Sequence, residues 1–315
     1  MSAPVLALDI GGTKLAVGLL TADGEVLSSV MVPTEPTATP DEVLATLSAM
    51  SETAVREARV RWSDLRGVGV SFGGPVDFPS GKTVTCHHLP GWEGVPLRDL
   101  ISQQTSLPVV MDNDANAAAL GETVFGAAKG CEHVLYVTVS TGIGAGLVLN
   151  GQVHRGANSM AGELGHTLVV PDGPACSCGR RGCLEAVAAG PAIARAAREA
   201  LVGDEPSSLR SLGPDQLTAK DVADAAPSDA LAARVIAQAG EYLGLALASA
   251  VNLANPQIVV IGGGVSQAGD CLFTPIRETM QRHAVPESTR DLRLVPAALG
   301  ARSALFGAGA LGLGR

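Results

Sequence analysis

Cys176, Cys178 and Cys183 stand in C-x-C-x4-C spacing, and His166 precedes them in Gly162-Glu163-Leu164-Gly165-His166. Thiolate sulfur and neutral imidazole nitrogen are the ligands zinc favours, and a closed set of four reads as a structural tetrahedral site. Two carboxylates flank the set, Glu163 and Glu185. A purely structural knuckle needs no acids at its edges. Here a metal would pin two Glu side chains into one place, which suits a polar ligand-binding surface. The competing reading is a disulfide plus a free thiol. Six cysteines in 315 residues fall far below disulfide-scaffold density, and no secretory signal is legible. Cys86, Cys131 and Cys271 are isolated and read as buried thiols.

A second chemistry is phosphate binding. No G-x-x-x-x-G-K-[ST] occurs, which argues against a Walker ATPase. Gly307, Gly309 and Gly312 match G-x-G-x-x-G, but only three residues follow, with no second strand and no acidic ribose partner, so helix packing explains them better. Three other glycine turns matter more. Asp9-Ile10-Gly11-Gly12-Thr13-Lys14 offers bare N–H donors, a Thr hydroxyl and an Asp able to hold hydrated Mg²⁺. Ser140-Thr141-Gly142-Ile143-Gly144 repeats the donors, and Gly262-Gly263-Gly264 lets a flat base or ribose approach the backbone. Each alone could be an ordinary tight turn; together they suit a nucleotide.

The elements that must position these groups alternate. Val5 to Ile10 and Leu15 to Leu20 are apolar runs about a Gly pair, a β-hairpin pattern, with a third strand over Val26 to Val32. Val134 to Val139 and Ala145 to Leu149 repeat that pattern, a weak internal duplication. Residues 41–60 have helical spacing, with Leu44, Leu47, Met50 and Val55 inward. Arg66 to Phe72 reads as a strand stopped by Gly73-Gly74-Pro75. Leu107 to Met111 is a strand running into Asp112-Asn113-Asp114, and Ala115 to Phe125 is helical. Residues 203–228 read as a polar surface excursion, 229–252 as a long Ala-rich helix, and Ile258 to Ile261 as a strand. The alternation indicates an α/β protein. Apolar content is 46% with 3% aromatic residues, so the cores are aliphatic. A net charge of −9, from 22 basic and 31 acidic residues, argues against a nucleic-acid surface. No apolar run approaches a membrane span, and a cytoplasmic protein is expected.

Nearly the whole chain resembles the ROK family of sugar kinases, within the actin-like ATPase superfamily. The resemblance rests on Asp9–Lys14, Asp112-Asn113-Asp114-Ala115-Asn116, Thr141–Gly144, Glu163–His166, the cysteine block through Glu185, and Gly262–Gly264. It implies a two-lobed actin-like (ribonuclease H-like) α/β fold with a zinc element and an active cleft between the lobes. The smaller lobe would comprise 1–116 plus 301–315 and the larger 117–300. It implies ATP with Mg²⁺ as co-substrate, a hexose as acceptor, structural Zn²⁺, and a homo-oligomer, dimer or tetramer. By position, Asp114 matches the catalytic base. Asn113, Asp114, Glu163, His166 and Glu185 match the sugar-binding set, with Gly74 close to the sugar. His166, Cys176, Cys178 and Cys183 match the zinc ligands. Thr13, Thr141 and Gly142 match phosphate contacts, with Asp9, Gly11, Gly12, Lys14 and Gly263 completing the nucleotide set. Many relatives carry an Asn just before Leu-Pro-Gly-Trp; this chain has His87-His88, either a sugar contact or a solvated pair.

Phosphoryl transfer depends mostly on positioning and charge neutralisation, but a hydroxyl acceptor still benefits from a carboxylate that takes its proton. Asp114 ends a strand and begins a helix, and a free Asp, with a pKa of about 3.9, is ionised at neutral pH. Asn113 or Asp114 could instead only cap the helix. The function expected is ATP-dependent phosphorylation of a hexose, glucose at its 6-OH first, with N-acetylglucosamine, N-acetylmannosamine or fructose as alternatives and polyphosphate as a further donor. A repressor of the same family would need a helix-turn-helix module ahead of Asp9. A catalytically dead sugar-binding scaffold would have no use for Asp114, Asp9 and both phosphate turns.

Overall fold

The structure, a computed structural model, describes residues 3–86 and 89–315. It divides into two compact units. The first holds residues 1–136, 146–162 and 297–315; the second holds 137–145 and 163–296.

In the first unit the apolar runs around Gly11-Gly12 form the hairpin β1 (Val5–Ile10) and β2 (Lys14–Leu20), extended by β3 (Val26–Pro33). β4 (Val68–Phe72) pairs parallel with β1. A short ladder of β5 (Val76–Asp77) with β6 (Lys82–Thr83) follows, and β7 (Val109–Asn113) adds parallel to β4. The sheet order is β3-β2-β1-β4-β7. Thr39 caps α1 (Pro40–Ala58) through a capping box with Glu42, and Leu44, Leu47, Met50 and Val55 are buried as the spacing predicts. They pack on Leu6, Leu8 and Ile10 of β1 in an aliphatic core, with Phe72 and Trp92 tilted against each other at 5.0 Å. α2 (Leu97–Thr105) and α3 (Asp114–Val124) follow. The last helix, α10 (Ser303–Gly312), lies across α3 and β4. A Cβ on Gly307 would fall on the Ala117 carbonyl, and one on Gly312 would sit 2.9 Å from the Gly69 nitrogen. The G-x-G-x-x-G match is therefore a helix-packing surface, as the sequence reading holds.

The second sheet has the order β10-β9-β8-β11-β12, from β8 (Val134–Val139), β9 (Ile143–Leu149), β10 (Gln152–Val153), β11 (Ile258–Gly262) and β12 (Arg293–Pro296). Read strand for strand, this is the order of the first sheet, so the weak repeat in sequence is a repeat of topology. Helices α4 (Leu184–Ala188), α5 (Gly190–Ala200), α6 (Ala219–Ala225), α7 (Ala230–Ala254), α8 (Asp270–His283) and α9 (Pro286–Thr289) all fall in the second unit. The excursion at 203–228 is more ordered than its composition suggests. Thr218 and Asp221 form a capping box that starts α6, and Leu209, Leu217 and Val222 are buried. Among the described residues no helix is long and apolar enough to cross a membrane.

Candidate functional site

In the first unit, parallel pairing sets Asp9, Ser71 and Asp112 side by side on three strands, and Ile10, Phe72 and Asn113 one step further. Asp9 is buried, and the Ser71 hydroxyl donates to its Oδ1 at 2.8 Å. The turn after β1 closes with the Gly11 N–H donating to the Lys14 carbonyl at 3.0 Å and the Thr34 hydroxyl to the Gly11 carbonyl at 2.7 Å. Thr13 is exposed, and Gly12 is partly so. The Lys14 ammonium donates to the Ala301 carbonyl at 2.7 Å.

Asn113 is the N-cap of α3: its Oδ1 accepts from the Ala115 and Asn116 N–H groups at 2.9 and 3.4 Å. Its Nδ2 donates to the Gly74 carbonyl at 3.1 Å, joining the Gly73-Gly74-Pro75 turn to the end of β7. One amide hydrogen of Asn113 remains for another partner. Asp114 is the first helical residue, half-buried, with Oδ1 accepting from the Ala115 N–H at 2.8 Å. The expectation of an ordinary Asp pKa needs correcting: burial, and then the charge of Asp9, push Asp114 up to about 6.

Behind this pair lies a feature the sequence reading missed. Asp112 is buried, and Arg155 reaches its Oδ2 with Nε at 2.8 Å and Nη2 at 2.7 Å. The Asn113 N–H and the Asn116 amide donate to its Oδ1 at 2.8 and 3.0 Å. The same guanidinium stacks on Phe78, 3.6 Å from the ring centre. Asp112 therefore holds the strand end from which Asn113 and Asp114 project. Glu122, fully buried on α3, was also missed. It accepts from the N–H groups of Ala127, Ala298 and Leu299 and from the Ser303 hydroxyl, at 2.7 to 3.1 Å. A carboxylate set within an Ala-rich helix was the signal for it.

In the second unit, His166, Cys176, Cys178 and Cys183 offer ligand atoms that all lie within 4.8 Å of one another. Cys178 Sγ and Cys183 Sγ are 3.7 Å apart, and Cys176 Sγ is 3.6 Å from His166 Nδ1. A tetrahedral zinc with Zn–S of about 2.3 Å needs edges of about 3.7 Å, which these two distances match, so the cluster is compatible with the ion. Nδ1 is the ring nitrogen turned toward Cys176, and Nε2 faces Glu163 Oε2 at 3.9 Å. Burial and the neighbouring thiols push Cys183 up to about 12, a cost that a bound dication would remove. The loop folds on itself through bridges Leu168–Cys183 and Ala175–Arg181. Cys183 then becomes the N-cap of α4, with Glu185 in its first turn.

Glu185 Oε2 accepts from the Ile143 N–H at 3.0 Å, in the β8–β9 turn, and its Oε1 accepts from the Ser177 hydroxyl at 3.2 Å. The Gly190 N–H donates to the Ser140 carbonyl of the same turn at 2.8 Å. Gly263 has φ +83°, and a Cβ there would strike the Val139 carbonyl, so only glycine lets β11 end this close to β8. A cavity of about 900 Å³ opens beside Ser140 and Thr141, walled by Pro191, Ala194, Leu217 and Val265. Its size and mixed lining suit a nucleotide. His87 and His88 lie outside the described residues.

Two sheets of one strand order, each opening on a hairpin with a glycine turn, define an actin-like ATPase fold carrying a Cys3His cluster. The ROK family model matches residues 5–314. The glucokinase of Halalkalibacterium halodurans is 39% identical over 309 residues, 96% of this chain and 93% of its own. Among solved structures, the ROK hexokinase of Thermus thermophilus superposes with a TM-score of 0.83 at 38% identity, covering 98% of both chains. A ROK family glucokinase from Streptomyces griseus, solved with glucose and AMPPNP, gives 0.85 at 32% identity, covering 99% of this chain and 100% of its own. The chain belongs to the ROK family.

Proposed function

We propose that the protein is an ATP-dependent hexose kinase, transferring the γ-phosphoryl group to a sugar hydroxyl with the 6-OH of glucose first among acceptors. The observation that carries this reading is Asp114: a half-buried carboxylate at a strand end, lifted to about 6 beside a second carboxylate, in a chain similar end to end to glucokinases. At neutral pH such a group is ionised yet more basic than a free Asp, which favours proton abstraction from a hydroxyl.

Asp114 takes the proton of the acceptor hydroxyl as the phosphoryl group arrives. Asn113 offers its remaining amide hydrogen to the sugar, and Gly74, tied to Asn113, shapes the approach. In the second unit Glu163 and Glu185 accept from sugar hydroxyls, and His166 Nε2–H is free of the metal to donate. Gly11, Gly12, Thr13 and Lys14 and, on the other turn, Thr141 and Gly142 bind phosphate oxygens. The cavity beside Gly263 takes the nucleoside. Asp9 would hold hydrated Mg²⁺, which supplies charge neutralisation to the phosphates. His166, Cys176, Cys178 and Cys183 would hold Zn²⁺ as a structural centre. The compartment is the cytoplasm, and the working form is a homo-oligomer.

A substrate panel tests the reading: glucose, N-acetylglucosamine, N-acetylmannosamine and fructose, each with ATP and with polyphosphate. The highest kcat/KM is expected for glucose with ATP. No phosphorylation of any hexose would overturn it.

A further inference from the structure

Glu185 matches a sugar-binding position, yet both of its carboxylate oxygens already have work. Oε2 accepts from the Ile143 backbone N–H, the first residue after Gly142 in the β8–β9 turn. A Cβ on Gly142 would lie 2.7 Å from the same oxygen, so the carboxylate is seated against the turn. Oε1 accepts from the Ser177 hydroxyl, which stands between Cys176 and Cys178. Cys183 occupies the N-cap position of the helix whose first turn carries Glu185. One side chain thus links the metal loop at two points, through Ser177 and through the Cys183 cap, to the turn that opens onto the 900 Å³ cavity.

We propose that Glu185 is a positioning residue for the nucleotide turn, so that nucleotide affinity depends on metal occupancy through the chain Ser177–Glu185–Ile143. The inference rests on the reading that the cavity binds nucleotide. The turn's N–H groups can receive phosphate only if the loop holds one geometry, and two backbone hydrogen bonds hold it together with Glu185. The Gly190 N–H fixes the Ser140 carbonyl, and the Ser140 N–H closes the turn on the Gly142 carbonyl. Loss of the metal frees the Cys176–Cys183 loop, which moves Ser177 and the start of α4. Glu185 then relaxes, and the Ile143 N–H loses its fixed partner. A brace made of one hydrogen bond is worth about five-fold in the equilibrium it biases.

The test measures binding of AMPPNP by calorimetry, without sugar, alongside zinc content. Five forms are compared: the zinc-loaded wild type, the wild type stripped by a chelator and then reloaded, Ser177→Ala, Glu185→Ala and Glu185→Gln. Stripping is expected to weaken binding about five-fold, and reloading to restore it. Glu185→Ala should be weakened about as much while keeping its zinc, and stripping it should add little. Glu185→Gln keeps an acceptor for the Ile143 N–H and should stay within about two-fold of wild type. Ser177→Ala, exposed and not a ligand, should retain zinc and lose part of the affinity. Equal affinity in Glu185→Ala and wild type, both folded and zinc-loaded, would overturn the coupling alone. No binding of AMPPNP to zinc-loaded wild type would overturn the cavity assignment and the coupling with it.

Discussion

Arg155→Met removes one side of the buried pair behind Asp114 and keeps the aliphatic stem. The Asp112 side chain is 1% exposed, and Arg155 supplies both contacts to its Oδ2. After the substitution the carboxylate keeps only the Asn113 N–H and the Asn116 amide, both on Oδ1. Breaking a buried pair from one side costs about 3–5 kcal/mol, because it strands a charge. Arg155 is itself 23% exposed, so water can reach the vacated end, and the lower figure of about 3 kcal/mol applies. The stacking on Phe78 adds about 0.5–1 kcal/mol. The loss also depends on pH. Burial already holds Asp112 above the usual carboxylate range with Arg155 present, and without it the rise is larger. Between the unfolded pKa of about 3.9 and that raised value, the folded variant binds a proton the unfolded chain does not. Its stability therefore falls as pH rises through the window, by up to about 1.4 kcal/mol per unit, and the deficit is greatest at alkaline pH. Urea unfolding at pH 5.5 and pH 8 reads this directly. A larger deficit at pH 8 is expected, partly recovered in Asp112→Asn/Arg155→Met, which carries no stranded charge. A deficit below about 0.5 kcal/mol at pH 8, or one equal at both pH values, would refute the reasoning.

Three further outcomes are expected. Cys178→Ser should lose zinc by metal analysis and melt earlier, with weaker hexose binding because Glu163 and Glu185 lose a common anchor; stoichiometric zinc with unchanged affinity would contradict this. Gly307→Ala puts a Cβ on the Ala117 carbonyl where α10 crosses α3, and should cost about 1–3 kcal/mol in thermal or urea unfolding; an unchanged midpoint would show that the helices can separate freely. The kcat/KM for hexose should rise with pH through about 6 as Asp114 loses its proton, and a flat profile from pH 5 to 7.5 would remove Asp114 as the titrating base.

What could be read from the sequence was what local chemistry dictates. The apolar runs about Gly11-Gly12 and Gly142 specify hairpins by composition alone, and α1 announces itself through the spacing of Leu44, Leu47, Met50 and Val55. The cysteine block is legible because ligand type and spacing carry the information. α6 was hidden because seven residues are too few to show a clear period; its capping box and the burial of Val222 make it a helix. Arg155 was hidden because 43 positions separate it from Asp112, and nothing in His154-Arg155-Gly156 marks a buried partner. The pKa of Asp114 was misjudged for the same reason. It depends on Asp9, brought near only by the parallel pairing of β1 with β4 and β4 with β7.

The central claim is that this chain phosphorylates a hexose with Asp114 as the base. The direct measurement is the initial rate of sugar-phosphate formation from glucose and ATP by wild type and by Asp114→Asn, each checked for folding and for glucose binding. The amide keeps the shape and loses the base, so the wild type should turn over, and the variant should bind glucose while turning over ~10²–10⁴-fold more slowly. Near-wild-type turnover in a folded Asp114→Asn protein, or no sugar phosphate from the wild type, would contradict the account.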